Sequence, residues 1–128
     1  MDIKEFNGTS LAYMGDAIMS LMVREKLLKE GWQKPKVLQK KSEGWVSAKA
    51  QAYFLTQLKE RSFFTEEEKA IILRGRNTHT ASKAKNADVL TYRMSTGLEA
   101  LFGWLYLTHQ HERLQNLWEE IQKIGEYK

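Results

Sequence analysis

Residues 9–30 read TSLAYMGDAIMSLMVREKLLKE, and this stretch decides the fold. Leu11, Met14, Ile18, Leu21, Met22 and Leu28 recur near a 3.6-residue period, which predicts an amphipathic helix with one core-facing stripe. Thr9 or Ser10 supplies an N-cap hydroxyl and Gly31 stops the helix after Glu30. Working outward, Pro35 suits the first turn of a short helix over 35–42, before Gly44 breaks the chain. Residues 46–61 form the next helix, with Val46, Ala50, Tyr53, Phe54 and Leu58 on its inner face. Thr65 and Glu68 make a T-x-x-E capping box for a helix reaching Arg74. Residues 75–90 lack an apolar period and read as a long loop, of the kind that often carries function. Helices over 91–108 and 110–124 complete six. One proline and eight glycines in 128 residues are too few turn-formers for a multi-stranded β-sandwich or barrel, so the class is all-α, a single domain over 1–128.

Composition removes several chemistries. There is no cysteine, which excludes disulfides, thiolate zinc sites and cysteine nucleophiles and fits a reducing compartment. The N-terminus has no apolar core of a secretory signal, and the longest apolar stretch, 94–108, is too short to span a bilayer. A cytoplasmic protein with no membrane partner is expected. His79, His109 and His111 have no zinc-protease spacing, and neither G-x-S-x-G nor a P-loop occurs. Trp104 and Trp118 read as core anchors. Trp32 and Trp45, on either side of a basic helix, stay open as surfaces for stacking bases.

Charge is most informative where it is nearly absent. In YMGDAIMSLMV, 13–23, the one charged side chain is Asp16; in MSTGLEALFGWLYLT, 94–108, it is Glu99. Both helices are apolar or small nearly all round, which predicts burial on two sides. A buried, unpaired carboxylate costs several kcal/mol unless it is protonated, paired or bound to metal. Neither acid has a cation at helical spacing, and Ala12, Gly15, Ser95, Thr96 and Gly103 leave room for close approach. Two readings stand side by side. One is a hard divalent cation such as Mg²⁺ shared by the two helices and completed by water. The other is structural: a helix-dipole interaction for Asp16, a buried hydrogen bond for Glu99.

Basic residues cluster instead. Residues 24–61 hold ten Lys/Arg against four Glu, and 69–93 hold six against Asp88 alone. Solvated helix faces account for the first cluster as readily as a polyanion does. The second, with Arg74, Arg76, Lys83, Lys85 and Arg93 and almost no compensating acid, points to phosphate.

The motifs are specific when taken together. LAYMGDAIMSLMVREKLL at 11–28 resembles the ribonuclease III signature, with VSAKAQA at 46–52, TEEE at 65–68, RGRN at 74–77, KAKN at 83–86 and YRMSTGLEALFGWLYL at 92–107 following in order. The chain is most similar to the Mini-ribonuclease III branch, which has the catalytic domain alone, without a double-stranded-RNA-binding domain. The resemblance implies a ribonuclease III endonuclease-domain-like helical bundle acting as a homodimer on double-stranded RNA. It implies Mg²⁺-dependent phosphodiester hydrolysis leaving 5′-phosphate and 3′-hydroxyl ends, in the maturation of 23S ribosomal RNA precursors, with a ribosomal protein that presents the substrate as a candidate partner. The signature aspartate and glutamate fall on Asp16 and Glu99, as catalytic residues and metal ligands. Longer family members have further acids where this chain has Thr9, Ala12 and Thr96, which thins the set of ligands held by protein. Arg74, Arg76, Lys83, Lys85 and Arg93 are the candidate RNA-binding residues. Two other classes remain at this stage: a catalytically silent RNA-binding module of the same fold, motivated by those three departures, and a helical protein–protein adaptor.

Overall fold

The computed structural model describes residues 2–78 and 89–128. Among them the fold is all-helical: a 3₁₀ turn, Ile3–Glu5, then α1 (Gly8–Lys29), α2 (Pro35–Val46), α3 (Ala48–Glu60), α4 (Glu66–Arg76), α5 (Val89–Leu107) and α6 (His111–Ile124). Lys83 and Lys85 lie outside the described residues. Helix α5 is the axis of the bundle, with α1, α3, α4 and α6 packed around it. Leu98, Leu101, Phe102 and Leu105 of α5 meet Leu11, Val23, Phe54, Leu55, Leu58, Leu117 and Ile121 in one continuous core.

Glycines set how closely the helices cross. A Cβ built on Gly15 of α1 would stand 1.7 Å from the Glu99 carbonyl oxygen, and one on Gly103 of α5 would stand 2.0 Å from the carbonyl of Leu11. No side chain fits there, so the two backbones touch. A second crossing joins α4 to α5, where a Cβ on Gly75 would lie 2.8 Å from Gly97 Cα and from the Thr96 carbonyl. This contact explains why α4 runs two residues past the expected end at Arg74, to Arg76. Gly75 packs a helix against a helix and does not open a loop.

Other boundaries moved for equally local reasons. The N-cap of α1 is Asn7, whose side-chain oxygen accepts from Ser10 N at 2.8 Å, and neither Thr9 nor Ser10 caps the helix. Helix α2 continues through Gly44, because the C-terminal tail lies on that glycine and Tyr127 N donates to its carbonyl at 2.9 Å. The break falls at Ser47, extended at φ −64° and ψ 158°, which caps α3 through its hydroxyl. The capping box of α4 forms as expected. Its Glu68 is only 3% exposed and takes a forked pair of bonds from Arg113 of α6, 2.7 Å from Nε and 2.8 Å from Nη2. Burial alone would raise the Glu68 carboxyl; Arg113 and the Thr65 backbone outweigh it and hold the group below its ordinary value. The start of α4 is thereby fixed to α6 and its end to α5.

The α1 stripe differs from the periodic reading. Its buried residues are Leu11, Ala12, Gly15, Ile18, Met19, Val23 and Leu27, whereas Leu21 is 64% and Leu28 58% exposed. Helix α5 is enclosed on nearly every side, but α1 keeps an open face with Tyr13, Leu21 and Leu28 on it. Trp45 is buried against Phe54 and Trp118, and Trp32 is covered by Lys41, its Nζ 4.1 Å from the ring centroid. Trp45 therefore belongs to the core and offers no face to a base.

Gly15→Ala should destabilise the fold by about 3 kcal/mol or more, since backbone must move to admit the methyl. At Gly44 the Cβ would meet tail atoms at 3.0 Å and beyond, and Gly44→Ala should cost under about 1 kcal/mol. Urea unfolding of both variants measures the difference.

Candidate active site

The Gly15–Gly103 crossing determines what stands beside it. Asp16 follows Gly15, and the residue whose carbonyl covers Gly15 is Glu99. The crossing therefore brings two acids from distant parts of the chain to one place, close enough for Asp16 to act on the Glu99 carboxyl. They face an open cleft of roughly 370 Å³ lined by Thr9, Ala12 and Tyr13 of α1, Val46, Ala48 and Gln51 from the α2–α3 junction, and Tyr92, Ser95 and Thr96 of α5. Thr9, Ala12 and Thr96, the three departures that motivated a catalytically silent reading, all line this cleft.

The two acids differ in setting. Asp16 is exposed; the burial expected for it does not occur, because α1 is covered on one side only. Glu99 is partly buried. Burial first, then the hydrogen bond and charge of Asp16, push the Glu99 carboxyl up to about 8, and a hydrogen bond from Gln51 opposes the shift. Among the described residues neither acid pairs with a lysine or arginine. The helix-dipole reading of Asp16 fails on position, since the residue lies in the third turn of α1 and the dipole acts within the first. The buried hydrogen bond predicted for Glu99 exists: Gln51 Nε2 donates to its Oε2 at 3.4 Å. That bond leaves the two carboxylates facing each other, which calls for a shared proton or a cation.

The donor chemistry fits a hard cation. Beside the two acids, the polar side chains of the lining are the hydroxyls of Thr9, Tyr13, Tyr92, Ser95 and Thr96 and the amide of Gln51, with no sulfur or imidazole among them. Among the described residues no group of three His, Cys, Asp or Glu could close a cage around a metal. Two carboxylates with the remaining positions left to water and substrate is the arrangement Mg²⁺ favours, because it gives up its hydration shell reluctantly.

The expected phosphate contacts are partly in view. Arg74 and Arg76 occupy the last turn of α4; Arg74 is exposed and its Nη1 donates to the Phe6 carbonyl at 3.2 Å, beside the start of α1. Arg93 is exposed on α5, next to cleft-lining Tyr92. None of the three meets a carboxylate among the described residues. Two groups escaped the sequence reading. Lys59 of α3 stands close enough to Arg76 that burial and then the arginine charge lower its ammonium. Gln51 is 2% exposed; the available signal was a polar residue four and seven positions before Leu55 and Leu58, on the buried face of α3.

Comparison with known proteins gives a consistent family. The ribonuclease III domain model matches residues 9–110. The Mini-ribonuclease 3 of Streptococcus pneumoniae is 47% identical over 117 residues, 91% of this chain and 91% of that protein. The Mini-ribonuclease 3 of Staphylococcus aureus is 46% identical over 122 residues, covering 95% and 91%. A crystal structure of a Fusobacterium nucleatum protein superposes with a TM-score of 0.82 at 31% identity, over 95% of this chain and 96% of that one.

The Glu99 shift has a defined sign. A carboxyl raised in the fold, from 4.5 to about 8, favours the folded state fully below pH 4.5, and that contribution is lost as pH rises toward and through 8. In metal-free buffer, stability should fall with rising pH relative to Glu99→Gln, by up to about 4 kcal/mol. Urea unfolding in EDTA at about pH 5 and pH 9 tests it; an equal difference between the two proteins at both values refutes it.

Proposed function

The chain belongs to the ribonuclease III family, an endoribonuclease by that membership, and we propose that it cleaves double-stranded RNA with Mg²⁺ at the Asp16–Glu99 cleft, maturing 23S ribosomal RNA precursor ends in the cytoplasm. The observation that carries this reading is the meeting of two carboxylates from α1 and α5 in an open cleft, with no lysine or arginine paired to them among the described residues.

Asp16 and Glu99 would hold the ion. When bound, Mg²⁺ lowers the pKa of a coordinated water and offsets the negative charge that gathers on the phosphate oxygens. The chain's part is position. Glu99 is fixed by the crossing beneath it and by Gln51, and Asp16, exposed at the rim, can meet a phosphate arriving from solvent. Small residues lining the cleft, Ala12, Ala48 and Ser95, leave room for the backbone of the nucleic acid. Water adds to phosphorus and the bond to the 3′ oxygen breaks, giving a 5′-phosphate and a 3′-hydroxyl.

Arg74, Arg76 and Arg93, with Lys83 and Lys85 from the basic segment, are proposed to grip phosphates, and Lys59 joins them through its place beside Arg76. Such contacts set register and make binding salt-dependent, and they read little sequence. An A-form duplex offers its phosphates and 2′-hydroxyls across a wide minor groove, which suits recognition by shape. The exposed Tyr13, Leu21 and Leu28 on α1 support a two-fold homodimer through that face. A dyad there would give each strand of the duplex its own cleft.

Asp16→Asn should lower Mg²⁺-dependent cleavage of a ribosomal precursor stem by a factor on the order of 10³ or more, with folding and duplex affinity retained in a gel-shift assay. Wild-type cleavage by this variant refutes the assignment. Arg74→Ala and Lys85→Ala should each weaken binding across many duplex sequences and flatten the plot of log affinity against log salt by about one unit per lost phosphate contact. Unchanged affinity in both would move the RNA surface elsewhere.

A further inference from the structure

Gln51 is a buried polar side chain with one half satisfied. Its Nε2 donates to the Val46 carbonyl at 2.9 Å and, more weakly, to Glu99 Oε2 at 3.4 Å. The Val46 carbonyl can only accept, so the amide orientation is fixed: the nitrogen faces Val46 and Glu99, and the oxygen faces away from them. That oxygen, Oε1, is buried and takes no hydrogen bond from any described protein group, and the side chain lines the cleft. An orphaned buried carbonyl oxygen is destabilising, and leucine at this position on the core face of α3 would avoid that cost. The chain instead keeps an amide where α2 ends, with one end on the backbone of the helix junction and the other beside the two acids.

We propose that Gln51 is a positioning residue of the hydrolytic site: its Nε2, anchored on the Val46 carbonyl, holds Glu99 in the orientation in which it meets the cation. The inference rests on the reading of Asp16 and Glu99 as cation ligands and extends it to a third helix. The amide is anchored to the Val46 carbonyl at the α2–α3 break, so the break itself becomes part of the site. Partners of this kind, which touch a ligand or its water without binding the ion, commonly change metal affinity by about 10–100-fold.

The test is calorimetric titration of the full-length protein with Mn²⁺ in the absence of RNA, on wild type, Asp16→Asn, Gln51→Leu and Gln51→Met. Wild type should bind, Asp16→Asn should lose binding, and both Gln51 variants should bind about tenfold more weakly while unfolding in urea at or above the wild-type midpoint. In cleavage assays their deficit should shrink as Mg²⁺ is raised, with KM for the duplex unchanged. Wild-type Mn²⁺ affinity in a folded Gln51 variant overturns the inference and leaves the cation reading intact. Loss of the fold in both variants also overturns it, because the amide would then serve packing alone. Absence of binding by wild type, or full binding by Asp16→Asn, removes the cation reading itself and this inference with it.

Discussion

The contact between the α1 and α5 backbones at Gly15 and Gly103 is the constraint on which everything else depends. At that crossing a carbonyl occupies the space of a missing Cβ on each helix, so the helices can neither rotate nor slide without collision. Each glycine lies close in sequence to one of the two acids of the cleft: Gly15 directly before Asp16, and Gly103 one turn after Glu99. The same few ångströms that bury the core of α5 also bring the two carboxylates together. Stability and chemistry share one geometric element.

The second crossing does comparable work for the two arginines that end α4. The capping box and the Glu68–Arg113 pair fix the start of α4 to α6, and Gly75 against Gly97 fixes its end to α5. Arg74 and Arg76 are carried on a helix held at both ends, so their charges stand at defined positions near the start of α1. Arg76 lies over Gly97, where a Cβ would meet its Cγ at 2.9 Å. Lys59 beside it adds a second cation with no acid between them among the described residues. Like charges gathered this way oppose folding unless an anion joins them, which fits a surface made for phosphate.

The cleft carries an electrostatic conflict that the protein alone does not resolve. Burial and then the neighbouring Asp16 both disfavour the charged form of Glu99. Gln51 relieves part of the conflict with a single donor and leaves its own oxygen without a partner. Sites tuned for catalysis often hold such strain, because the groups are arranged for a ligand and not for the empty fold.

Sequence by itself determined the helical class, all six helices to within a few residues, the capping box at Thr65 and Glu68, and the isolation of Asp16 and Glu99 in apolar runs. Those features are local: a 3.6-residue period, a cap spacing, a charge isolated in an apolar run. Tertiary structure decided the rest. Gly44 and Gly75 read as breaks because glycine weakens an isolated helix, but here each receives another segment of backbone, a contact that no local pattern encodes. Leu21 and Leu28 share the period of the core stripe, yet they face outward because α1 is covered on one side only. Asp16 is exposed for the same reason. Gln51 stayed invisible because its role is set by a carbonyl at the end of α2 and a carboxylate on α5, and the sequence places neither beside it.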